Sequence, residues 1–113
     1  MNIYEDFHNR RNEGNDAVNR QDYLPYKRFF NLDTNAYSEA ALPSKYKELM
    51  GLVGSMVLRC NDCILYHIEG SVNAGASPEE IKEAMNIALV IGGSIVIPHL
   101  RIAVKALEEL TGD

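Results

Sequence analysis

The sequence predicts an all-α, single-domain fold of about five to six helices. From Tyr23 to Leu110 apolar residues recur at three- and four-residue steps, and no segment sustains the two-residue alternation of a strand. Helix punctuation is also present: Ser77, Pro78 and Glu80 mark a start, and Gly75 marks a stop. A chain of 113 residues suits one compact bundle or array. It should bury somewhat more than about 60% of its extended surface, enough for a core without disulfide staples.

Along the chain, residues 1–22 read as a polar N-terminal lead-in or arm and residues 23–113 as the helical domain. The stretch "NRRNEGNDAVNRQD", residues 9–22, has little to bury and predicts a loose or surface-helical segment. Tyr23, Tyr26, Phe29 and Phe30 then form one stripe of a helix, which favours packing over ligand binding. In "LPSKYKELMGLVGSMVL" a Pro beside a capping-type Ser precedes Leu49, Leu52, Val53, Met56 and Val57 on one face. The next helix carries Cys63, Ile64, His67, Ile68 and Val72 toward Gly75. Its successor opens with a Ser77–Glu80 capping box and buries Ile81, Ala84, Met85, Ala88 and Leu89. Gly92 and Gly93 end that run. The last helix has a start blurred by Pro98; Val104, Leu107 and Leu110 are expected to pack, and Lys105, Glu108 and Glu109 to be solvated.

Composition excludes several function classes. A net charge of −5 leaves little attraction for nucleic acid or anionic lipid. The apolar run at 87–97 is too short to span a bilayer, and the N-terminus lacks the pattern of a signal peptide. The expectation is a cytoplasmic protein that binds neither nucleic acid nor membrane. In that reducing compartment a Cys-x-x-Cys pair points to redox, catalytic or metal chemistry more than to a permanent cross-link.

Both cysteines and one of the three histidines fall in "CNDCILYH". On a helix, Cys60, Cys63 and His67 stand at i, i+3 and i+7, one face. A thiol at the helix start is acidified by unpaired N–H groups, which favours Cys60 as the thiolate. A second thiol three residues away can resolve an oxidised sulfur, and His67 can carry the proton. Zinc is the competing reading, but a closed site needs four ligands and this cluster supplies three. Plain packing of buried cysteines is the other. His99 and Arg101, near the Gly-Gly break, could bind an anion or simply cap a helix. Tyr66 falls on another face and should pack or meet a subunit.

The stretch from Lys47 to Leu110 resembles the carboxymuconolactone decarboxylase superfamily, within it the alkylhydroperoxidase AhpD-like branch. The shared pattern is Glu48, an eleven-residue spacer, Cys60-x-x-Cys63 and then x-x-x-His67, followed by "GASPEEI" and a Gly-Gly before the last helix. The resemblance implies that Cys63 is the peroxidatic thiol and Cys60 the partner that condenses with it to a disulfide. It also implies that Glu48 and His67 form a proton relay. The implied activity is a thiol-dependent peroxidase or disulfide oxidoreductase. Its substrate is a hydroperoxide, its reductant a separate dithiol protein, and its assembly a homo-oligomer, trimer or hexamer. No flavin, nicotinamide or metal cofactor is implied. Asp62, where some members carry a histidine, should raise the pKa of the neighbouring thiol unless it points away. Lactone or decarboxylase chemistry and a non-catalytic zinc or redox-sensing module are the alternatives.

Overall fold

The computed structural model describes residues 2–112. Six α-helices follow in order among these residues: α1 (Ile3–Arg20), α2 (Leu24–Ala36), α3 (Ser44–Val57), α4 (Asn61–Asn73), α5 (Pro78–Gly92) and α6 (Ile97–Thr111). A 3-10 turn, Ser94–Val96, joins the last two. The all-α expectation holds.

The body is built on the α3–α4 hairpin, with α5 packed on α3 and α6 on α4. Its core takes Leu52 and Met56 from α3, Ile64 and Ile68 from α4, Ile81 and Met85 from α5, and Leu107 from α6. Each such large apolar side chain contributes about 1.5–3 kcal/mol on burial. Local signals place the helix ends. Ser77 Oγ accepts from the Glu80 N–H at 3.1 Å and Glu80 Oε1 accepts from the Ser77 N–H at 2.9 Å, closing the capping box. Gly75 takes φ +96° and ends α4's run, a conformation that costs glycine little. Pro98 sits in the first turn of α6, where its missing N–H would have had no helical partner.

Several details differ from the expectation. Ser44 is the first helical residue and does not cap α3; Pro43 holds the cap position, and the Ser44 N–H donates to Glu39 Oε1 at 2.9 Å. Val104 is 39% exposed, because α6 turns Ala103, Ala106 and Leu107 into the body instead. Glu109 is not merely solvated. Its two carboxylate oxygens accept from the N–H groups of Ile3 and Tyr4, at 2.9 and 2.8 Å, and so cap the start of α1.

The polar N-terminal segment is one surface helix. Asn2 caps it, accepting from the Glu5 N–H at 2.7 Å, and Tyr4 and Phe7 bury against the body. The aromatic stripe behaves in the opposite way. None of the residues of α2 is buried; Tyr23, Tyr26, Phe29 and Phe30 are exposed, so their packing within the chain is not observed. The radius of gyration, 14.5 Å, exceeds the value of about 13 Å for a compact domain of this length, in keeping with a helix that stands off the body. Among the described residues no helix is long and apolar enough to cross a membrane.

Candidate active site

The α3–α4 turn positions both cysteines. Arg59 adopts a left-handed conformation, φ +61°, which costs a non-glycine residue about 1–2 kcal/mol. The chain thereby reverses within three residues. The Cys60 N–H then donates to the Ser55 carbonyl at 3.0 Å, and Cys60 becomes the N-cap of α4. Its sulfur accepts from the Cys63 N–H at 3.2 Å. Cys60 and Cys63 are joined as a disulfide with Cα atoms 5.2 Å apart, inside the ordinary range. Cys63 is exposed, while Cys60 is partly covered.

One turn on, His67 is buried and wedged between α3 and α4. Its Nδ1 lies 2.8 Å from Glu48 Oε2. The carboxylate only accepts, so Nδ1 carries the hydrogen and Nε2 presents its lone pair. The pair fits because two glycines face it. A Cβ on Gly51 would stand 2.6 Å from His67 Cε1, and one on Gly70 would stand 2.5 Å from Glu48 Oε2. Glu48 and Gly51 on α3 thus meet Gly70 and His67 on α4 in reciprocal order. Bare backbone opposite each functional side chain lets the helices clamp the hydrogen-bonded pair.

Tyr37, in the α2–α3 connection, brings its hydroxyl to 3.5 Å from His67 Nε2. Burial pushes this phenol's pKa up, helped by Asp33, Glu48 and Tyr66, so it stays protonated and can donate. Tyr66 meets the imidazole edge-on at 5.2 Å. Neither tyrosine was legible as a site residue. Tyr37 lies outside any periodic run, and Tyr66 packs against the core as expected while also lining the cavity.

That cavity, of about 620 Å³, is walled by α1 (Phe7, Arg10, Arg11), α2 (Phe30, Asp33) and α4 (Asp62, Cys63, Tyr66, His67). Asp62 is not the unscreened charge that its position beside the thiol suggested. Arg10 Nη1 donates to both Asp62 oxygens, at 3.2 and 3.1 Å, while its Nε binds Asp6 at 2.9 Å. Of the sequence candidates, Cys60, Cys63, His67 and Glu48 come together. His99 and Arg101 stay outside the cavity. His99 Nδ1 lies 2.7 Å from Asn61 Oδ1, tying α6 to the first residue of α4. Among the described residues no group of three or more His, Cys, Asp or Glu is arranged to hold a metal ion.

Comparison with known proteins agrees with this architecture. Residues 25–106 match the model of the carboxymuconolactone decarboxylase family. The chain is similar to the Thermotoga maritima protein TM1620 in two crystal structures. One has 58% identity, a TM-score of 0.92 and coverage of 96% of each chain. The other has 59% identity and a TM-score of 0.89, covering 95% of this chain and 91% of that one; it is described as a family protein with a possible involvement in antioxidative response. The Legionella pneumophila family protein lpg0406, at 23% identity and TM-score 0.88, covers 96% of this chain and 97% of its own, and shares the fold. An uncharacterized protein of the Paracoccus denitrificans cox locus is 29% identical over 74% of this chain and 76% of its own length.

Proposed function

The chain belongs to the carboxymuconolactone decarboxylase family, and on that premise we propose that it is a thiol-dependent peroxidase of the alkylhydroperoxidase AhpD-like type. The observation that carries this reading is the coincidence of a Cys60–Cys63 disulfide and a buried Glu48–His67 pair at one cavity. The antioxidative description attached to the similar Thermotoga maritima protein supports it. Pairing of Asp62 with Arg10 partly offsets the charge that would oppose a thiolate.

In the reduced protein His67 Nε2 takes the Cys63 thiol proton, with Glu48 balancing the imidazolium. The thiolate attacks the terminal oxygen of the hydroperoxide. An S–O bond forms, the O–O bond breaks, and the departing alkoxide takes the proton back from His67 to leave as an alcohol. Cys63 is now a sulfenic acid. The Cys60 sulfur attacks it, the S–S bond forms and the S–O bond breaks, and hydroxide leaves with the Cys60 proton as water. A second dithiol protein of the reducing cytoplasm then returns two electrons and two protons by exchange. Exposure of Cys63 and its place in the cavity wall support its role as attacking sulfur; Cys60, at the cap, is the resolving one. Tyr37 donates to Nε2 while that atom is unprotonated and accepts from it once it is charged, which steadies the ring in both states.

The exposed apolar residues of α2 outside the cavity, Tyr26, Phe29 and Leu32, with Val90, Ile91 and Ile95 beyond α5's core face, support assembly with further copies of the chain as a trimer or hexamer. The direct test of the enzyme is Cys63→Ser, which should abolish hydroperoxide consumption with a small dithiol as reductant; unchanged turnover would refute it.

A further inference from the structure

We infer that Arg11 makes this cavity selective for organic hydroperoxides that carry a carboxylate on an apolar body, an inference that rests on the peroxidase reading for the reacting end of the ligand. Two adjacent arginines of α1 reach the cavity, and they are not equivalent. Arg10 is spent on Asp6 and Asp62, at 2.9 and 3.1 Å. Arg11 has no carboxylate within ion-pair distance among the described residues. Its guanidinium lies over the Tyr66 ring, 4.9 Å from the centroid. That contact holds the cation at the wall without using an N–H donor, so its planar set of donors is available for bidentate binding of a carboxylate.

The surroundings set the rest of the ligand. Tyr66 separates Arg11 from His67, against which its ring packs edge-on at 5.2 Å, so the cation stands one aromatic ring away from the reacting end. Phe7 and Phe30 supply apolar wall for a hydrocarbon body. Asp33, on the α2 side of the same cavity, repels an anion and directs the carboxylate toward α1. A neutral hydroperoxide has no use for an uncompensated guanidinium at this place.

The test compares cumene hydroperoxide with its 4-carboxy analogue, using dithiothreitol as reductant, in wild type, Arg11→Gln and Arg11→Lys. The readout is the ratio of kcat/KM for the two substrates within each variant. Wild type should prefer the carboxylated substrate by about tenfold, as one charge-assisted contact implies. Arg11→Gln should bring the ratio close to one and Arg11→Lys should keep part of it. A ratio unchanged by Arg11→Gln overturns the proposal. Should wild type consume neither substrate, the peroxidase reading fails, and calorimetric binding of 4-carboxycumyl alcohol to the oxidised protein decides the proposal separately. Weaker binding to Arg11→Gln than to wild type upholds it, and equal binding overturns it.

Discussion

α1 and α2 both wall the cavity over Cys63 and His67, yet they are held by opposite means. α1 is polar along most of its length and is fastened at one end. Tyr4 and Phe7 are buried, the Tyr4 hydroxyl donates to the Leu65 carbonyl at 2.8 Å, Glu109 caps the first N–H groups, and His8 pairs with Glu69 at 2.9 Å. α2 is rich in aromatic residues and buries none of them. Composition therefore does not decide which helix belongs to the body. A few side chains that find partners hold α1, whereas the larger apolar surface of α2 stays exposed on the chain.

The strongest way to break that contrast is to truncate one aromatic in each helix. Phe7→Ala should cost about 3–5 kcal/mol in urea unfolding. Phe29→Ala should change the stability of the dilute, monomeric chain by less than about 0.5 kcal/mol, yet weaken self-association in sedimentation. Equal losses of stability from both would erase the distinction.

Beneath the two covering helices, Gly51→Ala should cost about 1–3 kcal/mol, since the new methyl meets the His67 ring and the α3–α4 clamp must open. Turnover should fall further than stability does, as His67 leaves Glu48. Retained activity with an unshifted His67 signal by NMR would show that the glycine is not needed for the fit.

Tyr4→Phe sharpens the comparison at α1's anchor and should cost about 1 kcal/mol, the worth of one buried hydrogen bond. It also carries a pH signature. Burial, with Glu69 and Glu109 nearby, holds the Tyr4 phenol well above its ordinary range. The folded pKa is raised, so the contribution is present below the unfolded value of about 10 and is lost as pH rises above it, where only the unfolded chain ionises. Stability of the variant should decline less steeply than wild type above pH ~10, measured by urea melts across that range. Smallest of all, Arg10→Met should change stability by only a few tenths of a kcal/mol, as exposed pairs do. It should nevertheless raise the pH at which reduced Cys63 alkylates, because Asp62 is left unscreened.

What could be read from the sequence was what is local. The Ser77–Glu80 box, the Gly75 stop and the approach of Cys60 to Cys63 each depend on spacing at one helix end, and each is found in the fold. Pairing of Glu48 with His67 spans nineteen residues, and only the family resemblance pointed to it. Tyr37, Arg10 and Arg11 were invisible for the same reason, since their positions follow from how α1 and α2 lie over α4. Val104 failed because periodicity marks a face but not which edge of it meets a neighbour. Of the aromatic stripe, Tyr26, Phe29 and Phe30 lie on α2 and Tyr23 stands at its cap, and all four are exposed, because periodicity marks a face without saying that anything covers it.

One measurement bears most directly on the dithiol centre: thiol titration of the reduced protein before and after one equivalent of hydroperoxide, with mass spectrometry of the peptide holding residues 60–67. The peroxidase reading predicts loss of two thiols and a Cys60–Cys63 disulfide, formed at a rate that falls sharply in His67→Gln. Two free, unreactive thiols after treatment would contradict it.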